Sequence, residues 1–253
     1  MNIKSIRNAT LVIEYAGRTF LVDPMLAEQG SYAPFPNSAR QDRKNPLVGL
    51  PIPIEEIVQG IDAVIVTHLH LDHWDDAAKA ALPKDVKLFA QNEGDAAAIR
   101  DNGFTNVEIL TESTTFKGIS LIKTYGEHGR GDILNRTGLV CGVVFKHPDE
   151  KTLYVAGDTV WIEAVRRTLE THKPKTIVVN AGDNRFLQGG SLVMDRSDVH
   201  EVHRAAPEAQ IVCVHMEAVN HWNLSRAELR TFAEEKGMSA FVNVPEDGES
   251  YSF

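Results

Sequence analysis

Cysteine is scarce in this chain of 253 residues, where only two occur. Cys141 and Cys213 both lie inside apolar runs, as buried and chemically inert cysteines usually do. We therefore expect neither a disulfide nor a cysteine nucleophile, which suits a reducing compartment. No serine stands in a motif that would activate it as a nucleophile either. A hydrolytic reaction would have to use water.

Long apolar runs and positive charge are also missing. No run approaches the roughly 20 residues that a membrane-spanning helix needs, and the N-terminus alternates like a strand instead of resembling a signal peptide. The net charge is −9, without the cluster of lysine and arginine that nucleic-acid binding requires. We expect a cytoplasmic protein whose partner is a small-molecule substrate, with nucleic acid and membrane both disfavoured.

Histidine, in contrast, is concentrated at one place. The sequence Thr-His-Leu-His-Leu-Asp-His-Trp at 67–74 follows the apolar run at 62–66, which predicts a buried strand. His68 and His70 can converge on one ion if the backbone stays extended, and Asp72 and His73 follow where the chain must turn. Imidazole nitrogens and a carboxylate oxygen suit zinc, manganese, iron or cobalt. This density predicts a metal site.

Further candidates stand where other predicted strands end. His128 follows a strand predicted at 115–125, Asp158 follows 152–156, and Asn180 and Asp183 follow 176–179. A last apolar strand at 210–214 ends at His215, with His221 close behind. Buried strands separated by helices place their carboxyl ends along one edge, where α/β sheets bind ligands. We therefore expect these side chains to meet the histidines at 68–73.

Two other features leave alternatives open. Asp23 precedes a proline and is either a turn residue or a carboxylate that orients a metal-binding imidazole. The stretch 25–54 contains five prolines and is long for a loop in a compact domain. It predicts a lid or a wall of the substrate site, with a surface excursion as the alternative.

The pattern His-x-His-x-Asp-His after an apolar strand, followed by His, Asp and His at later strand ends, resembles the metallo-β-lactamase superfamily. The resemblance covers nearly the whole chain and implies one domain, 1–253, of the α/β class with a four-layer αββα sandwich. It implies a first metal site formed by His68, His70 and His128. It also implies a second metal site formed by Asp72, His73 and His215, with the carboxylate of Asp158 bridging the two.

The resemblance also implies a reaction. Two divalent metal ions would share a water, and the resulting hydroxide would attack the substrate. Zinc is the first candidate for these ions, and manganese and iron are the alternatives. The Gly-Glu-His-Gly and Gly-Asp-Thr stretches and the compact length look most like the L-ascorbate-6-phosphate lactonase-like hydrolases. We expect hydrolysis of a small lactone or ester, phosphorylated or not. A phosphodiesterase or nuclease of the same fold is the alternative, followed by a metal-binding protein without activity.

Beyond the ligands, several residues are predicted to act on the substrate, and homo-oligomers are common among such enzymes. His221 would position the substrate or move a proton, and Asp183 would support catalysis beside Asp72. Asn180 and Asp183 are predicted to contact either the substrate or a metal ligand. Trp161 is predicted to contact the substrate, with core packing as the alternative. Arg130, Arg136 and Arg185 could meet a phosphate group of the substrate, with a plain surface position as the alternative.

Overall fold

The computed structural model describes all residues from Met1 to Phe253 and contains two seven-stranded sheets. Strands are numbered in chain order. The first sheet has the order β14-β1-β2-β3-β4-β5-β6, with β1 Asn2–Arg7, β2 Thr10–Tyr15, β3 Arg18–Val22, β4 Ala63–Val66, β5 Lys87–Ala90, β6 Val107–Ile109 and β14 Ser250–Ser252. The second has the order β13-β12-β11-β10-β9-β8-β7, with β7 Thr114–Phe116, β8 Ile119–Gly126, β9 Val140–His147, β10 Glu150–Val155, β11 Thr176–Asn180, β12 Gln210–Val214 and β13 Val242–Asn243.

The chain forms seven α-helices, of which all but the short fourth one cover the outer faces of the two sheets. They are α1 Ile54–Val58, α2 Asp76–Ala81, α3 Glu93–Asp101, α4 Leu134–Thr137, α5 Glu163–His172, α6 Arg196–Ala205 and α7 Arg226–Glu235, and a 3₁₀ turn at Gly131–Ile133 precedes α4. No helix is both long enough and apolar enough to span a bilayer.

Three apolar clusters define the layers. Side chains from both sheets, among them Phe20 and Phe145, fill the space between the sheets. The first sheet packs its other face on α1, α2 and α3, and the second packs its other face on α5, α6 and α7. Most of the parallel strands are buried on both faces, which is why they appear in the sequence as short continuous apolar runs. The predicted four-layer αββα sandwich is confirmed.

The strands that precede the candidate site residues lie in both sheets. β4, which leads to His68, belongs to the first sheet, whereas β10, β11 and β12 lie side by side in the second. The prediction of one common edge therefore needs a correction, because the strand ends meet across the rim of the sandwich. Two packed sheets face each other there, so loops from both can contribute to one site.

The strand predicted at 115–125 is also corrected. Residues 114–126 form a hairpin, with β7 antiparallel to β8 and Thr114 opposite Leu121. Lys117 and Gly118 both adopt positive φ and make the turn between them. The alternating pattern continues through this two-residue turn, so the sequence alone reads as one strand.

The stretch 25–54 is tied to the first sheet by Arg7. This side chain is fully buried and donates hydrogen bonds to the carbonyls of Met25, Ala27 and Val48 at 2.8, 2.9 and 3.0 Å. Burial lowers its pKa to about 10, so it stays charged at neutral pH. Met25, Leu26 and Leu47 are buried beside it, which makes this stretch a packed part of the structure.

Replacing Arg7 with Leu should lower the free energy of unfolding by about 3 kcal/mol or more, because each buried carbonyl left without a donor costs about 1–3 kcal/mol. Urea denaturation would measure the loss. Arg167→Leu, at a side chain 73% exposed, is the control and should change stability by no more than about 0.5 kcal/mol. Equal effects of the two substitutions would contradict the role assigned to Arg7.

Candidate metal centre

Seven side chains with metal-binding atoms meet at the rim of the sandwich. They come from four loops that follow β4, β8, β10 and β12, and they are His68, His70, Asp72, His73, His128, Asp158 and His215. Their ligand atoms form three overlapping groups, each with all its atoms within 4.8 Å of one another. All seven residues for which the sequence predicts a metal role are thus brought together.

Asp158 lies between the two predicted ligand sets. Its Oδ2 is 3.4 Å from His128 Nε2 and 3.9 Å from His68 Nε2 on one side. The same oxygen is 3.1 Å from His73 Nε2, and Oδ1 is 3.7 Å from His215 Nε2. One carboxylate therefore reaches atoms of both sets, the placement that a bridging ligand needs.

The donor set fits a divalent cation. His68 Nε2 is buried and has no hydrogen-bond partner, and an unpaired polar atom in the interior is costly. The surrounding donors are imidazole nitrogens and carboxylate oxygens, the ligands that zinc and its borderline relatives prefer. A cation at this position would give that nitrogen a partner.

Charge within the cluster is strongly coupled. Burial alone would raise the pKa of Asp72 and Asp158, but the nearby imidazoles, His73 foremost, outweigh it and hold both well below their usual value. Burial would likewise lower the pKa of His73, yet the carboxylates of Asp158 and Asp23 raise it well above the usual value. Both carboxylates are thus ionised at neutral pH and require positive charge beside them.

Hydrogen bonds behind the cluster orient the imidazoles. Asp23 Oδ2 accepts hydrogen bonds from His73 Nδ1 at 2.9 Å and from the Thr67 hydroxyl at 2.7 Å. His128 Nδ1 donates to the carbonyl of Leu192 at 2.9 Å. With Nδ1 engaged, the Nε2 atom of each ring is left free to face the centre. Of the two interpretations of Asp23, the structure supports the orienting carboxylate.

The backbone at His215 is held by two distant segments. His215 has φ of 61°, an uncommon conformation for a residue other than glycine. Its N–H donates to the carbonyl of Asn8, whose side chain also donates to the carbonyl of Asp72. A Cβ on Gly182 would lie 2.2 Å from the His215 carbonyl oxygen, so only glycine fits there. These contacts join loops of both sheets at the centre.

A cavity of about 150 Å³ opens onto the cluster at Asp72 and Asp158. Its walls are mostly apolar or aromatic and are formed by Phe35, Leu71, Arg136, Thr137, Phe186, Leu192 and His221. The His221 ring lies 4.8 Å from the Phe35 ring, edge to face, and 6.1 Å from Phe186, stacked. Burial lowers the pKa of His221 to about 4, so this imidazole is neutral at pH 7.

Four of the predicted residues do not line the cavity. Arg130 binds Asp198 at 2.7 Å, away from the cavity, and Trp161 packs against the cluster beneath α5 and α6. Asp183 accepts hydrogen bonds from Arg185, Ser191 and Asn223, so it ties its own loop together. Asn180 donates to Asp158 Oδ1 and orients that carboxylate instead of facing the cavity. The partners of Arg130 and Asn180 lie 68 and 22 residues away in the sequence, so no local pattern indicates either contact.

Some residues of the site had no clear signal in the sequence. Phe35 lies in the proline-rich stretch and Phe186 in an irregular loop, where neither periodicity nor a motif distinguishes them. Asn8 carried a weak signal, since asparagine between two strands favours the positive φ, here 57°, that it adopts.

The chain has clear relatives. Residues 18–216 match the model described as the β-lactamase superfamily domain. The UPF0173 protein YddR of Bacillus subtilis (strain 168) is 61% identical over the full length of both chains. The crystal structure of isothiocyanate hydrolase from Delia radicum gut bacteria is 44% identical, with a TM-score of 0.96 over 100% of this chain and 99% of that one. A possible metal-dependent hydrolase from Veillonella parvula DSM 2008 is 38% identical, with a TM-score of 0.97 and the same coverage.

Replacing Asp23 with Asn should weaken metal binding about 10–100-fold, because His73 loses the charged acceptor that orients its ring. Competition with a chromophoric chelator would measure the affinity. Asp149→Asn, at a side chain 90% exposed, serves as the control and should bind metal like the wild type. Unchanged affinity in the Asp23 variant would show that its hydrogen bond does not support the centre.

His215 and His221 should respond differently to alanine. His215→Ala should lose metal, because its Nε2 lies 3.2 Å from Asp72 and within one ligand group. His221→Ala should retain metal and slow turnover, since this ring lines the cavity without joining any group. Metal analysis after dialysis, together with a rate assay, would separate the two. The opposite pattern would mean that the roles are exchanged.

Proposed function

We propose that this metal-dependent hydrolase, which belongs to the β-lactamase superfamily, acts on a small lactone or ester. The reaction would take place at a centre of two divalent ions, with zinc as the first candidate. The observation that carries the proposal is the position of Asp158 between two ligand sets beside a cavity. Each set supplies three side chains, so two cations can share the one carboxylate.

The two ligand sets would hold divalent cations, whose Lewis acidity would lower the pKa of the attacking water and polarise an oxygen of the substrate. Asp72 lines the cavity and is ionised, so its carboxylate can accept a hydrogen bond from the attacking water. His221 is neutral and lies on the aromatic wall, where a ring N–H can donate to the substrate or the leaving group. Phe35, Phe186 and Leu192 exclude bulk water from the bond that breaks.

The size and lining of the cavity support a small substrate. An apolar cavity of about 150 Å³ is large enough to hold a benzene ring, and the cavity here has a similar volume. Arg136 is the only lysine or arginine among its lining residues, and it offers a site for one anionic group, such as the phosphate of a phosphorylated lactone. A substrate of one ring with at most one charge fits this description.

The phosphodiesterase alternative has less support. A polynucleotide needs a row of cations along an open groove, whereas Arg130 and Arg185 are paired with Asp198 and Asp183. The net charge of −9 also opposes a polyanion.

An isothiocyanate is the second candidate substrate. The structure that shares 44% identity with this chain is named an isothiocyanate hydrolase. Isothiocyanates are small and uncharged, and water adds to their central carbon as it adds to a carbonyl. Cleavage of the carbon–nitrogen bond then releases an amine and carbonyl sulfide. The apolar cavity beside the metal centre suits such a molecule as well as it suits a lactone.

A hydrolysis panel with metal-loaded protein should distinguish these substrates. It would contain lactones, phosphorylated lactones, aryl esters, aryl isothiocyanates and a bis-aryl phosphodiester, each with and without chelator. We expect the protein to hydrolyse a lactone or ester, to lose this activity when chelator is added, and to bind two metal equivalents per chain. The His70→Ala variant should be inactive and should bind less metal. Turnover of isothiocyanates alone would favour the second candidate, and phosphodiester cleavage alone would contradict the proposal. Bound metal with no turnover would favour a protein that binds metal without catalysis.

A further inference from the structure

We propose that Asn220 is a positioning residue that holds the aromatic wall of the cavity in place and so determines which substrate substituent fits. The inference rests on the proposed function, because it takes the cavity beside the metal centre as the substrate site. Asn220 itself makes no hydrogen bond to any of the seven ligand-type residues and does not line the cavity. It acts through its neighbours.

The amide of Asn220 uses all of its hydrogen-bonding capacity on one segment of chain. The residue is fully buried, and its Oδ1 accepts from the Phe35 N–H at 2.8 Å and from Asn45 Nδ2 at 2.9 Å. Its Nδ2 donates to Ser38 Oγ and to the carbonyl of Ala39, each at 2.8 Å. The Asn220 N–H completes the pair by donating to Asn45 Oδ1 at 2.7 Å. One side chain therefore ties residues 35–45 to the loop that carries His221.

The other wall of the cavity is joined to the same unit. Ser38 forms an isolated β-bridge with Phe186, and the Leu187 N–H donates to the carbonyl of Asn37 at 2.7 Å. The Arg185 N–H donates to the carbonyl of His221 at 2.9 Å. Phe35, Phe186 and His221 thus come from three segments that are hydrogen-bonded to one another, with the Asn220 amide between two of them.

This arrangement matters because the stretch that carries Phe35 has no helix or strand of its own to hold it. Ordering the residues of such a stretch costs conformational entropy, and the amide of Asn220 supplies fixed hydrogen-bond partners where the wall begins. Without them, Phe35 loses its place against the His221 ring. The kcat/KM of a substrate whose substituent fills the cavity would then fall, whereas that of a substrate with only a methyl group there would not.

The test compares two esters, phenyl acetate and methyl acetate, and follows the ratio of their kcat/KM values. This ratio does not depend on how much of a preparation is folded, so a loss of active protein cannot change it. Asn220→Ala should lower the ratio about 10–100-fold, the usual effect of a misplaced binding group, while metal content stays at the wild-type level. Asn243→Ala is the control, since that amide donates to Gln210 at the start of β12 and neither residue lines the cavity, so its ratio should not change.

Two further variants make the inference specific. Phe35→Ala should lower the ratio as Asn220→Ala does, and the double variant should show no further fall, because both changes remove the same wall. Asn220→Asp keeps the acceptor for the Phe35 N–H but loses the donor to Ser38 and Ala39, so its ratio should lie between those of the wild type and Asn220→Ala. It also provides a test if the alanine variant does not fold.

Binding of benzyl alcohol, followed by ligand-observed NMR on metal-loaded protein, separates the inference from the proposed function. If the wild type hydrolyses neither ester but binds benzyl alcohol, the ester assignment fails, and weaker binding to Asn220→Ala still supports the positioning role. The role is overturned if Phe35→Ala lowers the ratio or the affinity and Asn220→Ala leaves both unchanged. Fully additive effects in the double variant would overturn it as well.

Discussion

Two ionised carboxylates buried in a cluster of imidazoles are the constraint on which the rest of this structure depends. Asp72 and Asp158 are almost completely removed from solvent. A buried charge is tolerated only with partners of opposite charge and with hydrogen bonds for its remaining lone pairs. Nearby imidazoles and the amide of Asn180 meet part of this requirement, and the orphaned nitrogen of His68 shows where a cation would meet the rest.

The sandwich can satisfy this constraint because its rim receives loops from both sheets. Four strand ends deliver the ligand-type residues, and no loop could supply all seven on its own. Contacts across the rim then hold them in register: Asn8 binds the backbone of both Asp72 and His215, and Gly182 lets the chain approach the His215 carbonyl. Asp23 lies behind this cluster and orients the His73 ring through a hydrogen bond.

The walls of the cavity are held in place differently from the residues of the metal centre. The ligands stand at the ends of strands whose burial fixes their direction, whereas Phe35 and Phe186 lie in irregular segments. Hydrogen bonds made by a buried amide, together with the packing of Arg7 and its neighbours, replace regular structure in holding the stretch 25–54. The ligand-type residues are therefore positioned by the strands of the two sheets, whereas the walls of the cavity are positioned by loops.

Local patterns in the sequence, together with the resemblance to the metallo-β-lactamase superfamily, were sufficient to name the seven ligand-type residues, and local patterns alone predicted most of the strands. His68, His70, Asp72 and His73 lie close together in the chain, and Asp158 and His215 follow short apolar runs, so spacing and strand ends make them candidates. The family resemblance then selects His215 over His221 as the predicted ligand. The limits of β12 were predicted correctly, because a buried strand ends where its apolar run ends. Only the tertiary structure decided that Arg130 pairs with Asp198, 68 residues away, and that Asn220 binds Asn45, 175 residues away. Such pairings depend on which loops the two packed sheets bring together, and no local pattern in the chain records that.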